Sequence, residues 1–283
     1  MYRKILTIQD ISCVGQCSLT VALPILSAAG NETVILPSAL LSTHTMGFKK
    51  FTCLDLTNEM EKIINHWKGE NVKFDAFYTG YLGNDGQVEA ALKAVPLLKE
   101  SAIKIIDPAM ADFGVLYPAF DLDYVEKIKK ICEIGEVILP NITEACFLTG
   151  LKYQEKHDEK YILNLLYSLR NLGYKKIVLK GANLSKDKIR IYIYDKEISY
   201  YEHEKIDKSF HGTGDVFASS FVAKYLETED LYLSTKFAGD FTLKAIKETL
   251  DDPKHWYGVK FEKCLNLLTE GAKKWFHHVQ KTL

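Results

Sequence analysis

Short runs of β-branched and apolar residues alternate along the chain with longer stretches in which apolar positions recur every three or four residues. The first pattern reads as strand and the second as helix. Strands are predicted near Lys4 to Ile8, Thr33 to Leu36, Phe74 to Thr79, Ile103 to Asp107, Glu136 to Leu139 and Lys176 to Lys180. Helices are predicted between them, over Ser18 to Ala29, Leu54 to Trp67, Gln87 to Lys99, Asp121 to Cys132 and Glu159 to Leu172. Strands separated by helices form a parallel sheet covered on both faces. The expectation is therefore a three-layer α/β/α fold with a mostly parallel central sheet.

Late in the chain the rhythm changes. "KIRIYIYDKEISYYEHE" holds two period-two runs around Asp195-Lys196, the pattern of an antiparallel hairpin. Helices are predicted after it near Gly214 to Leu226, Leu231 to Thr249 and Phe261 to Trp275. No Pro/Gly/Ser-rich linker, repeat or low-complexity tract divides the chain, so one domain over 1–283 is the simplest reading.

Composition narrows the partners. The 283 residues are 47% hydrophobic, enough for a sizeable core, and 36 basic against 37 acidic side chains leave a formal charge of -1. That balance gives no electrostatic footprint for nucleic acid or an anionic membrane, and favours a small-molecule partner. Six cysteines are scattered through apolar surroundings, as expected of reduced thiols in the cytoplasm. "MYRKILTIQD" runs straight into a strand, without a signal-peptide pattern, and no segment approaches 18 uncharged apolar residues.

Ligands of open α/β sheets sit beyond the carboxyl ends of the strands, and there this chain is polar: "QDISCVGQCSLT", "PSALLSTHTMGF", "GYLGNDG", "DPAMADFG", "PNITEA" and "KGANLS" follow the six strands in turn. Neither G-x-x-x-x-G-K-[ST] nor G-x-G-x-x-G occurs. Gly212-Thr213-Gly214 offers another way to hold phosphate, because glycines let successive N–H groups converge and the following helix adds its positive end. Asp215, in the first turn of that helix, is placed to take a proton from an attacking hydroxyl, or simply to cap the helix. Asp107 and Asp112 flank a Pro-containing turn, and can bind Mg²⁺ through water or face solvent. Asn141 and Glu144 suit a hydrated Mg²⁺ or a helix cap equally.

Together these residues resemble the ribokinase superfamily, and within it the pyridoxal kinase branch. "GTGD" carries the resemblance most specifically. "PNITEACFLTG" resembles an N-x-x-E segment, "DPAMADFGVLY" a D-P-V-M-G-D segment, "LLSTHTMGF" an S-N-H-T-G segment and "TGYLG" a T-G-Y turn. The resemblance implies an ATP-dependent kinase acting on the 5′-hydroxymethyl group of vitamin B6. In it Asp215 is the base and Gly212, Thr213 and Gly214 are the anion hole. Asp10, Thr45 and Tyr81 border the substrate, and Asp107, Asp112, Asn141, Glu144 and Lys180 hold ATP and Mg²⁺, the metal through water on Asp112 and Glu144. A homodimer is implied as well, and a need for K⁺ is left open.

The chain departs from the pattern at four places. Asp10 stands where pyridoxal kinases commonly carry serine; it suits a pyridinium nitrogen, or an aminopyrimidine. Ala111 replaces a glycine, Leu139 replaces a threonine, and Lys180-Gly181 resembles the hydroxymethylpyrimidine kinases. His44 reads as a residue behind the substrate pocket or a satisfied loop histidine, and His211 has no assigned role. Two rival functions are kept: hydroxymethylpyrimidine kinase, and a non-catalytic vitamin- or nucleotide-binding protein of the same fold.

Overall fold

The computed structural model describes residues 2–269. In chain order the elements are β1 (Lys4–Ser12), α1 (Leu19–Ala28), β2 (Glu32–Leu41), β3 (Cys53–Asp55), α2 (Thr57–Gly69), β4 (Phe74–Thr79), α3 (Asp85–Lys93) and β5 (Leu98–Ile106). They continue with β6 (Ala111–Asp112), β7 (Val115–Leu116), α4 (Leu122–Glu133), β8 (Val137–Ile138), α5 (Ile142–Thr149), α6 (Glu159–Asn171) and β9 (Lys176–Ala182). β10 (Lys188–Tyr194), β11 (Ile198–Glu204), α7 (Thr213–Thr228) and α8 (Leu231–Lys247) follow.

Nine strands form one sheet in the order β11-β10-β9-β8-β5-β4-β1-β2-β3. The stretch from β9 to β2 is parallel; β3 at one edge and the β10–β11 hairpin at the other are antiparallel. The expected three-layer α/β/α arrangement and the hairpin are both present. β6 and β7 make a separate two-stranded ribbon.

Because side chains alternate across a strand, neighbouring apolar residues feed opposite cores. Leu6, Phe77 and Ile106 pack with α2 to α6, while Ile5, Tyr78 and Ile105 pack with α1, α7 and α8. All six are essentially inaccessible to water. This double burial explains why the central strands read as continuous apolar runs rather than alternating ones.

Three predicted helices start or stop elsewhere. The stretch Leu54 to Trp67 begins instead as β3, paired with Ala39 to Leu41; Asp55 then accepts from Thr57 N at 2.8 Å, and the helix starts there. The stretch Gln87 to Lys99 is helical only to Lys93. Asn84 caps α3 by accepting from Gln87 N, and Pro96 cannot extend the hydrogen-bond ladder, so Val95–Leu97 makes a 3₁₀ turn and β5 begins at Leu98. In the stretch Phe261 to Trp275, Phe261–Cys264 is a 3₁₀ turn and Asn266–Thr269 a short helix; the remainder lies outside the described residues. Among the described residues no helix is long and apolar enough to cross a membrane.

α7 is the helix on which the site depends, and its inner face is sealed by Phe217, Phe221 and Tyr225, stacked one turn apart. Phe221 is 0% exposed. Phe221→Ala is expected to lower the free energy of unfolding by about 3–5 kcal/mol, as other buried aromatic truncations do. Urea denaturation followed by circular dichroism checks it.

Candidate active site

Gly212 is the residue before α7 and has φ 72°, a left-handed conformation that favours glycine. A side chain there would also collide: a Cβ at 212 would lie 1.8 Å from the Gln16 carbonyl oxygen and 3.4 Å from Cys17 Sγ. The glycine is thus required twice over, by its own backbone and by the 13–18 turn pressed against it. The turn leaves the Thr213 and Gly214 N–H groups at the head of a 16-residue helix, where no carbonyl of the preceding turn can accept them. Such a helix start can hold an anion on its main chain.

Asp215 sits in the first turn of α7. Burial, with Asp107 and Asp10 nearby, pushes its carboxyl up to about 7; the Ser18 backbone N–H and Lys180 pull the other way. A carboxylate with that pKa is poised to accept and release a proton near neutral pH. Ser18 itself is strained, with φ 54° in a non-glycine residue, and is buried at 4% exposure. Its hydroxyl hydrogen-bonds Asp10 while its N–H donates to Asp215, so one residue ties the two carboxyls together.

Asp107, Lys180, Glu144 and Asn141 converge from β5, β9 and the start of α5. Lys180 Nζ donates to both Asp107 oxygens, at 3.0 and 2.9 Å, in a pair whose side chains are 14% and 6% exposed. Glu144 is buried: its Oε2 accepts from Asn141 N at 2.7 Å and its Oε1 from Met110 N at 3.3 Å. Asn141 Oδ1 accepts from Glu144 N at 2.8 Å, completing a reciprocal cap of α5. Asn141 Nδ2 donates to the Ala111 carbonyl at 2.8 Å and so fixes the acidic turn. Burial raises the Asp107 and Glu144 carboxyls, and Lys180 lowers both. Asp112, half-buried, accepts from Phe113 N at 2.9 Å.

Among the described residues no group of three or more His, Cys, Asp or Glu forms a cage for a metal. The oxygens of Asp112 and Glu144 nevertheless suit Mg²⁺, which keeps most of its water and takes further oxygens from phosphate. Both Glu144 oxygens already accept a backbone N–H, and each keeps a further lone pair.

On the other side of Asp215, Asp10 is buried and accepts from Ser12 Oγ at 2.9 Å, and burial raises its carboxyl. Tyr81 is close enough to feel Asp10; burial first, then that charge, pushes its hydroxyl up to about 12. The Tyr81 ring packs against Phe120 and Tyr117, at 5.5 and 6.3 Å between centroids. Thr45 is exposed on the loop after β2. His44, beside it, is held firmly: Met46 N donates to its Nδ1 at 3.2 Å, and its Nε2 bonds the Tyr257 carbonyl at 2.9 Å. His44, His211 and Trp256 pack as one aromatic cluster, the histidines tilted to each other and edge-on to the indole, which gives His211 a packing role.

Tyr117 and Ser18 were not foreseen. Tyr117 lies between Tyr81 and the acids, its hydroxyl raised by burial and by Glu144, Asp112, Asp215 and Asp107. Its position five residues beyond Asp112 in the same strand-end segment was the available signal.

The family profile described as phosphomethylpyrimidine kinase matches residues 25–259. The chain belongs to the phosphomethylpyrimidine kinase family. Among relatives of that family, the hydroxymethylpyrimidine/phosphomethylpyrimidine kinase of Aquifex aeolicus is 36% identical over 129 residues, 44% of this chain and 49% of the relative. A Bacteroides thetaiotaomicron protein described as a candidate phosphomethylpyrimidine kinase superposes with TM-score 0.90 at 31% identity, covering 94% of this chain and 93% of that one. Another crystal form of that protein, described with pyridoxal, gives TM-score 0.87 over 94% and 95% of the two chains. Pyridoxal kinase from Lactobacillus plantarum gives 0.88 at 28% identity, over 94% of this chain and 96% of its own.

Removing one partner of a buried ion pair leaves an uncompensated charge. Lys180→Met is therefore expected to lose about 3–5 kcal/mol of stability at neutral pH. Without the lysine, the folded-state pKa of Asp107 rises further above its unfolded value. Protonated Asp107 then costs little, so the deficit against wild type should shrink as pH falls through that pKa and grow as pH rises. Urea unfolding across the acid range checks both size and sign.

Proposed function

We propose that the chain is an ATP-dependent kinase that phosphorylates the 5′-hydroxymethyl group of pyridoxal, pyridoxine or pyridoxamine. The observation that carries this reading is Asp215, with a pKa of about 7, at the head of α7 directly after a glycine turn whose N–H groups are free for phosphate. Asp215 takes the proton of the substrate alcohol as its oxygen bonds to the γ-phosphorus; the bond to the β,γ-bridging oxygen breaks, and ADP leaves. Thr213 and Gly214 N–H groups neutralise charge on the transferring group. Asn141, Asp107 and Lys180 line the nucleotide side, and Asp112 and Glu144 would hold a hydrated Mg²⁺, which would supply positive charge to the phosphates.

Vitamin B6 as the alcohol is supported by the pyridoxal described with the Bacteroides thetaiotaomicron protein. It is supported too by Asp10, a buried carboxyl beside Tyr81 that suits a protonated ring nitrogen. A second reading, hydroxymethylpyrimidine kinase, is favoured by the Aquifex aeolicus relative and by the same Asp10, whose two oxygens equally suit an aminopyrimidine. An ADP-release screen of the three vitamers and hydroxymethylpyrimidine separates them. Turnover of hydroxymethylpyrimidine alone would overturn the vitamin reading, and turnover of none would favour a binding protein.

Asp215→Asn keeps size and capping ability but cannot accept the proton, so kcat should fall about 10²- to 10⁴-fold with ATP affinity and Tm little changed. In the wild type, kcat should rise with pH through about 7 as the carboxyl ionises. Steady-state kinetics across that range test both. Asp10→Ala should mainly raise the KM of the vitamin; a change confined to the KM of ATP would remove Asp10 from the ring side.

A further inference from the structure

The 13–18 turn lies between three other loops, and Gln16 touches two of them. Its carbonyl oxygen is the atom against which Gly212 is pressed. Its side chain turns the opposite way: Nε2 donates to both Glu262 oxygens at 2.6 and 2.8 Å, while Oε1 accepts from His255 Nε2 at 2.7 Å. Gly258 closes over the same side chain, where an added Cβ would lie 2.5 Å from Gln16 Oε1 and 2.7 Å from its Cβ. All donor and acceptor positions of the amide that these partners can reach are used in one direction, toward residues 255–262.

We infer that Gln16 is a positioning residue: by tying the 13–18 turn to the 255–262 segment, it holds the Gln16 carbonyl against Gly212 and thereby sets where the Thr213 and Gly214 N–H groups point. The side chain touches no reacting atom; it acts through main chain. The adjoining residues give this leverage. Gly15 has φ 107° and admits the His44 ring, since a Cβ there would meet His44 Cδ2 at 2.1 Å; Ser18, two residues beyond Gln16, donates to Asp215. A turn with two left-handed residues in four and contacts on both flanks has little slack. Releasing its outer tether lets the carbonyl retreat, and donors that bind a transition state lose effect with small displacements.

The inference rests on the reading of the 212–215 turn as a phosphoryl-transfer site, and does not depend on which alcohol is accepted. Three variants test it on whichever alcohol the wild type phosphorylates. Gln16→Ala should lower kcat on the order of tenfold, with the KM of the alcohol within about twofold. Gln16→Glu sets a carboxylate against Glu262 and should lower kcat at least as much. Adding Glu262→Gln exchanges donor and acceptor: the new carboxylate accepts from both the amide at 262 and His255, and kcat should return to within about threefold of wild type. Tm of each variant separates loss of fold from loss of alignment. Wild-type kcat in Gln16→Ala, or no recovery in Gln16→Glu/Glu262→Gln, would overturn the proposal. Failure of the vitamin reading appears differently, as wild-type turnover of the aminopyrimidine only.

Discussion

Four carboxyl groups, Asp10, Asp107, Glu144 and Asp215, are gathered at the carboxyl edge of one sheet, and Lys180 is the cation that answers them. Everything else in the site follows from that imbalance. Lys180 is bound to Asp107 yet lowers Glu144 and Asp215 as well, so its charge is shared. What it does not neutralise is met by protons, by backbone N–H groups and by helix ends. A polyphosphate approaching alone would meet like charge here.

The acids are coupled through main chain as well as side chains. Ser18 joins Asp10 to Asp215, and its backbone is strained in doing so. Asn141 and Glu144 act in the same manner on the other flank: each caps α5 for the other while fixing Ala111 and Met110 of the acidic turn. Of the two readings the sequence left open for this pair, the helix cap is the one the hydrogen bonds show.

Much of this was legible beforehand. The central strands announced themselves by apolar runs, and each polar segment after them reached the sheet's carboxyl edge as the topology of open α/β sheets requires. The start of α7 could be read because glycines and an acid coincide within four residues. Helix limits were misread where a local interaction outweighed periodicity, as with Asp55 on Thr57 N and with Pro96. Ser18, Tyr117 and Gln16 were missed for a different reason. Gln16 meets partners 239 and 246 positions away, Ser18 reaches Asp215 in the other half of the chain, and Tyr117 is set by burial and by acids on both sides of it in sequence; no spacing rule relates Gln16 to Gly212, His255 or Glu262.

The antiparallel additions at the two ends of the sheet bear on self-association. A parallel core left with bare edges would offer rows of unpaired N–H and C=O groups as a template for strand addition. At one end β11 carries Glu202, gripped by Lys188 and Arg190 from β10, and Arg190 also lies over the Tyr200 ring at 4.3 Å. A foreign strand docking there would have to displace paired charges. At the other end β3 has only three residues, all exposed, too short a ladder for an incoming strand to register on. The same elements that finish the sheet therefore keep it from being extended into aggregates during refolding or at high concentration.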